Sequence, residues 1–181
     1  MASVPTRRFT IRDMAILVAL VACSIVSIKK VDQDLGAWRD FPPLDILSRC
    51  VVLSYECLNR MLIPWAPGVL LMRLARPRPS RARLWRQPGF VASVAATAAT
   101  GLEIIHSFAV FCYSQKDGSF WNYFWYIQHD EIKSAVFGAW VILILSRRWR
   151  SEACWDDRLG RGIGYLWVGL FLSAPIEWYL R

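Results

Sequence analysis

Five long apolar stretches, at 14–28, 50–72, 89–113, 131–146 and 163–180, alternate with charged segments along this 181-residue chain. A helix that crosses a bilayer needs about 20 predominantly apolar residues, with a range of about 17–25. The third stretch is a span as it stands. The first and fifth do so if their helices run a turn further, and the second and fourth carry polar residues. A soluble domain of this size buries one core, and 55% hydrophobic side chains exceed what one core needs. The sequence therefore reads as all-α: an integral membrane helical bundle in a single domain over 1–181, with five transmembrane helices, or four if one compromised stretch stays outside. Charged residues at 20% exclude a disordered chain, and 5 Cys in this length exclude a disulfide scaffold.

Charge gives an independent test of that count, because Lys and Arg concentrate in cytoplasmic segments. Arg7, Arg8 and Arg12 precede the first stretch. Arg73, Arg76, Arg78, Arg81, Arg83 and Arg86 follow the second, and Arg147, Arg148, Arg150, Arg158 and Arg161 follow the fourth. The opposite side carries Lys29, Lys30, Arg39, Lys116 and Arg181, with Asp32, Asp34, Asp40 and Asp45 offsetting the first three. The expectation is an N-terminus inside and a C-terminus outside. The same alternation accounts for a net charge of +8 with the lipid bilayer as partner and no nucleic acid, since inner arginines lie against anionic headgroups. Pro77 and Pro79 keep the most basic segment extended.

The first stretch also has a targeting reading, because Leu20-Val21-Ala22-Cys23 is a lipobox-like arrangement behind Arg7 and Arg8. Asp13 interrupts the approach and the apolar run continues past Cys23 to Ile28, which favours a retained helix. Arg8-Phe9-Thr10-Ile11-Arg12-Asp13-Met14, the Arg73–Pro79 run and Arg86-Gln87-Pro88-Gly89 together resemble uncharacterised small multi-pass membrane proteins of bacteria. The likeness covers about a quarter of the chain and rests on topogenic residues. It implies a bacterial cytoplasmic (inner) membrane, and it carries over no activity and no site residue.

Ionisable groups within spans mark function or packing, since hydrocarbon penalises them. On five spans, Glu56, Arg60, Glu103, His106, His129, Glu131 and Glu177 fall in the outer half, and the inner half reads as apolar. Glu56 and Arg60 are spaced i,i+4, as an internal ion pair would be, and Pro64 and Pro67 then kink the helix. Glu103 and His106 continue the small-residue stripe of Ala96 and Ala99, which places both side chains inside the bundle. Glu-x-x-His is half of a di-metal carboxylate ligand set, so Glu103 and His106 are the candidate metal ligands, with Glu56, His129, Glu131 and Glu177 as further donors. A buried Glu–His hydrogen bond is the plainer alternative. The chain's 2 His would also be the minimum for a haem, although His129 would enclose one poorly. No cofactor follows from these residues.

Other patterns are fragments. Glu56-Cys-Leu-Asn-Arg60 and Trp125-Tyr-Ile-Gln-His129 look like parts of an intramembrane glutamyl protease motif that lacks its doubled Glu and its third His element. The aromatic run 119–128 suits the headgroup level. Gly160-Arg-Gly162-Ile-Gly164 reads as a flexible lead into the fifth span or as a Gly-x-x-x-Gly packing edge. Cys50 and Cys112 both fall near outer helix ends, where a bridge would need an oxidising compartment. Two functions survive: a non-catalytic subunit or scaffold of a membrane complex, in contact with a membrane protein partner or its own copies, and a small membrane enzyme or metal- or cofactor-binding protein with an outer-leaflet Glu/His site.

Overall fold

The computed structural model describes residues 10–36, 46–74, 84–114, 130–149 and 155–180, with side chains at all of these except 30–36, 46–49, 114, 130 and 176–180. The described residues are helical and contain no strand. Helix α1 covers Ile11–Gly36, α2 Ile46–Leu62, α3 Trp65–Leu74, α4 Pro88–Ser114, α5 Asp130–Leu145 and α6 Trp155–Leu180.

Local chemistry sets the helix ends. Thr10 caps α1: its hydroxyl accepts the Asp13 N–H at 3.3 Å, while the Asp13 carboxylate accepts the Thr10 N–H at 3.0 Å and its hydroxyl at 2.8 Å. This is a reciprocal capping box with Asp in the third helical position. Pro64 has no N–H and crowds the preceding turn, so the second apolar stretch breaks between α2 and α3. Ser24 of α1 reaches into the break, donating to Met61 O at 3.3 Å as well as to Leu20 O at 2.8 Å, and it accepts Trp65 Nε1 at 3.0 Å. Pro88 opens α4, where a missing N–H costs nothing. Ser93, Thr97 and Thr100 return their hydroxyls to carbonyls one turn back, at 2.9, 2.6 and 2.8 Å, which is how an apolar helix accommodates them.

Side-chain contacts give the direction of every rod. Ser24 meets Trp65 and Leu20 meets Gly68, so α3 runs against α1. Tyr55 meets Leu170 and Arg73 meets Asp157, so α6 runs against α2 and α3. Gly89 meets Gly160 and Ala92 meets Gly164, so α4 and α6 run the same way. Trp140 meets Tyr165 and Phe137 meets Phe171, so α5 runs against both. Taking α2 and α3 as one broken rod, the chain goes up, down, up, down, up. Thr10, Arg73, Gln87, Trp149 and Asp157 therefore share one end of the bundle, the arginine-rich one.

Leu62, Ala66, Val69 and Met72 from the broken rod, Ala92, Ala96 and Ala99 from α4, Ile132, Val136 and Trp140 from α5, and Trp167 from α6 make the core. Outside it the surface is oily. Ile11–Lys29 and Pro88–Tyr113 are long and apolar enough to cross a membrane, yet only 22% and 28% of their apolar windows are buried in the bundle. The core helix of a soluble protein would be mostly buried. Val18, Val21, Ile25 and Val26 on α1, and Leu102, Ile105 and Phe108 on α4, all face outward.

Two sequence expectations change here. The second stretch is two helices rather than one kinked one. The fifth begins at Trp155 instead of residue 163, because its charged first turn folds into the bundle; Gly160 and Gly164 thus belong to a packing edge and not to a flexible lead.

Candidate functional site

Polar side chains occupy two layers. The first lies at the arginine-rich end, within the inner half of the bundle whose interior reads as apolar from sequence. Arg73, at the end of α3, donates Nη1 to Gln87 Oε1 at 2.5 Å and places Nη2 2.8 Å from Asp157 Oδ1 and Nε 3.5 Å from Asp156 Oδ2. Arg161 approaches the other Asp157 oxygen at 3.3 Å, one turn along α6. Arg73, Asp156, Asp157 and Gln87 are buried, Asp157 fully. Asp156 and Asp157 lie in the first turn of α6, where the helix dipole favours carboxylates, and the Asp157 N–H donates to Asp156 Oδ1 at 3.0 Å.

Glycine makes this density possible. A Cβ on Gly89 would lie 2.6 Å from Asp157 O, and one on Gly160 would lie 2.8 Å from Gly89 O, so α4 and α6 touch backbone to backbone beside the ion pairs. Trp140 closes the layer by donating Nε1 to Pro88 O at 3.0 Å. Two guanidiniums meet two carboxylates, and the charges cancel. The arrangement is chemically a lock that joins α3, α4 and α6.

The second layer is further along the bundle. Lys133 of α5 is 2% exposed and donates Nζ to the Tyr55 hydroxyl at 2.7 Å; that hydroxyl donates to Leu170 O at 3.1 Å. Lys133 Nζ is also 4.9 Å from the Tyr55 ring centroid, a distance that the bond to the hydroxyl imposes, so the contact is a hydrogen bond before it is a cation–π interaction. At a rise of about 1.5 Å per residue, Leu170 stands about 20 Å along α6 from Asp157, with Trp167 and the alanines of α4 between the layers. Tyr55→Phe takes one acceptor from a buried ammonium group. The expected cost is about 1–3 kcal/mol, read as a lowered midpoint of thermal unfolding in neutral detergent.

Glu56 and Arg60 pair at 3.8 Å along one face of α2, both half-buried. Glu103 is buried at 4% exposure, whereas His106 is exposed, so the expected shared burial of the two fails. The buried stripe of α4 runs Ala96, Ala99, Glu103, Ser107, and His106 falls beside it. Glu131 is exposed at the start of α5. His129 lies outside the described residues, as does the side chain of Glu177 and the aromatic run 119–128. Among the described residues no three His, Cys, Asp or Glu side chains gather as a metal site, so Glu103 and His106 gain no third ligand there. Cys50 and Cys112 are free and exposed on α2 and α4.

No family model, curated protein or solved structure matches this chain. The geometry therefore stands alone. Sequence reasoning missed the Arg73–Asp156–Asp157–Arg161 lock by treating those arginines as topology. The available signal was two adjacent acids at an otherwise basic end, four residues before an arginine and next to glycines spaced for close packing.

Proposed function

We propose that this chain is a five-span protein of the bacterial inner membrane, N-terminus inside, that serves as a non-catalytic subunit or scaffold of a membrane complex. The observation that carries the reading is the segregation of its side chains: the buried charges Arg73, Asp156 and Asp157 engage one another inside, while aliphatic side chains of α1 and α4 face outward. Groups consumed in this way hold helices together and leave little for acid–base chemistry. The alternation of rods supports five crossings, and α1 and α4 supply the two helices that are both long and apolar enough to cross on their own. At 26 and 27 residues α1 and α4 span about 40 Å, more than a hydrocarbon core of about 30 Å, which a tilted or protruding helix accommodates.

Other features support the finer points. Leu20 is buried against Gly68, and Ser24 bonds into the α2–α3 break, so the residues on both sides of Cys23 belong to the bundle as a retained helix would. The inner-membrane placement leans on the arginine alternation and on the resemblance to small bacterial multi-pass proteins. The test is purification of the full chain from membranes in mild detergent without chelator, followed by native mass spectrometry and elemental analysis. Assembly with a membrane protein or with further copies, and no stoichiometric metal, is the expected result. A bound metal or chromophore that Glu103→Gln removes would overturn it.

A further inference from the structure

At the arginine-rich end the acids among the described residues are turned inward. Asp13 is taken up by the α1 cap, and Asp156 and Asp157 by Arg73 and Arg161. All three are buried, whereas Arg12, Arg86, Arg147, Arg148 and Arg158 of the same end are exposed. In sequence Arg158 looks neutralised by the aspartates beside it. In the fold those aspartates are spent on the interior, and the outer rim of described side chains is left cationic; Glu152 lies outside the described residues.

The rim also carries tryptophans. Trp85 is 55% exposed with its ring edge-on to Phe90 at 5.4 Å, and Trp149 is half-buried, edge-on to Trp140 at 5.2 Å. Arginine beside tryptophan at the border of an apolar surface suits the headgroup level of a bilayer, where guanidiniums bind phosphate in a bidentate fork.

We propose that this rim binds the headgroups of anionic phospholipids selectively, a statement that rests on the membrane reading above. The occupant is a lipid rather than a soluble polyanion because the outward side chains that adjoin the rim, Ile11, Met14 and Val18 at the start of α1 and Ile142, Ile144 and Leu145 at the end of α5, are apolar. Each arginine near an anionic leaflet multiplies the preference several-fold.

Arg147 offers a clean handle. It ends α5 in the left-handed region at φ 53°, with its N–H on Ile144 O at 2.9 Å and the Arg148 N–H on Leu143 O at 3.1 Å. That is a Schellman turn, whose left-handed position ordinarily holds glycine. Arg147→Gly removes a charge while easing the backbone, so the fold survives the test.

The experiment compares the wild-type full chain with an R147G/R148Q/R158Q variant. Each is purified in neutral detergent, equilibrated with equal phosphatidylglycerol and phosphatidylcholine of matched chains, and its bound lipids are counted by native mass spectrometry. Wild type is expected to retain phosphatidylglycerol about ten-fold over phosphatidylcholine, falling to about two-fold in the variant and at high salt. Equal retention by wild type, an unchanged ratio in the variant, or displacement of the lipid by an oligonucleotide of equal phosphate concentration would overturn the proposal. Release of the chain from membranes by alkaline carbonate overturns the membrane reading itself, and a membrane-retained chain without headgroup preference overturns only this one.

Discussion

Arg73→Leu should be the most damaging single substitution in this protein. It removes the cation that bridges Asp156, Asp157 and Gln87, and Arg161 then faces two buried carboxylates alone. Breaking a buried pair by deleting one partner costs about 3–5 kcal/mol, because the remaining charge stays without compensation. The readout is the midpoint of thermal unfolding in neutral detergent. Arg158→Gln, in the same helix but exposed, should stay within about 0.5 kcal/mol of wild type. Adding Asp156→Leu to Arg73→Leu leaves Asp157 and Arg161, 3.3 Å apart, as one balanced pair and should recover part of the loss. A double variant as unstable as the single would show that the packing of Arg73, and not its charge, matters.

Glycine substitutions should divide into two groups by what surrounds them. A Cβ at Gly89 or Gly160 meets backbone atoms of the opposing helix, which no rotamer change can move aside. Gly89→Ala and Gly160→Ala should each cost about 1–3 kcal/mol by forcing α4 and α6 apart. Around Gly162 and Gly169 nothing lies within 4 Å of an added Cβ. Alanine there should be neutral or add up to about 1 kcal/mol, since glycine is the poorer helix former. Similar losses at all four positions would mean that α6 is surrounded by neighbours on every side.

Periodicity and length exposed most of the architecture. The apolar stretches mark where the helices lie, the arginine-bearing segments flank rods whose contacts make them alternate, and Pro64 marks the break in the second rod. What hydropathy concealed was the charged first turn of α6: a window that penalises Asp156, Asp157, Arg158 and Arg161 assigns them to a loop, although Asp156 and Asp157 pair with Arg73 of α3 and Arg161 pairs with Asp157 along α6. The polar interior was legible one residue at a time but not as a constellation. Glu103 was placed inside correctly, and His106, three residues on, was not, because the buried stripe advances by fours past Glu103 to Ser107. Lys133 lies in the charged opening of α5, beside Asp130 and Glu131 in sequence. Its burial depends on Tyr55, 78 residues away in sequence, and no local pattern encodes that meeting.

The bundle's reading as five membrane crossings rests most directly on where its two ends lie. Reporter domains that are active on only one side of the cytoplasmic membrane, fused in turn to Met1 and to Arg181 of the intact chain, decide it. Five alternating rods put the N-terminal fusion inside and the C-terminal fusion outside. Both fusions reporting from the same side would mean an even number of crossings and would contradict the five-span bundle.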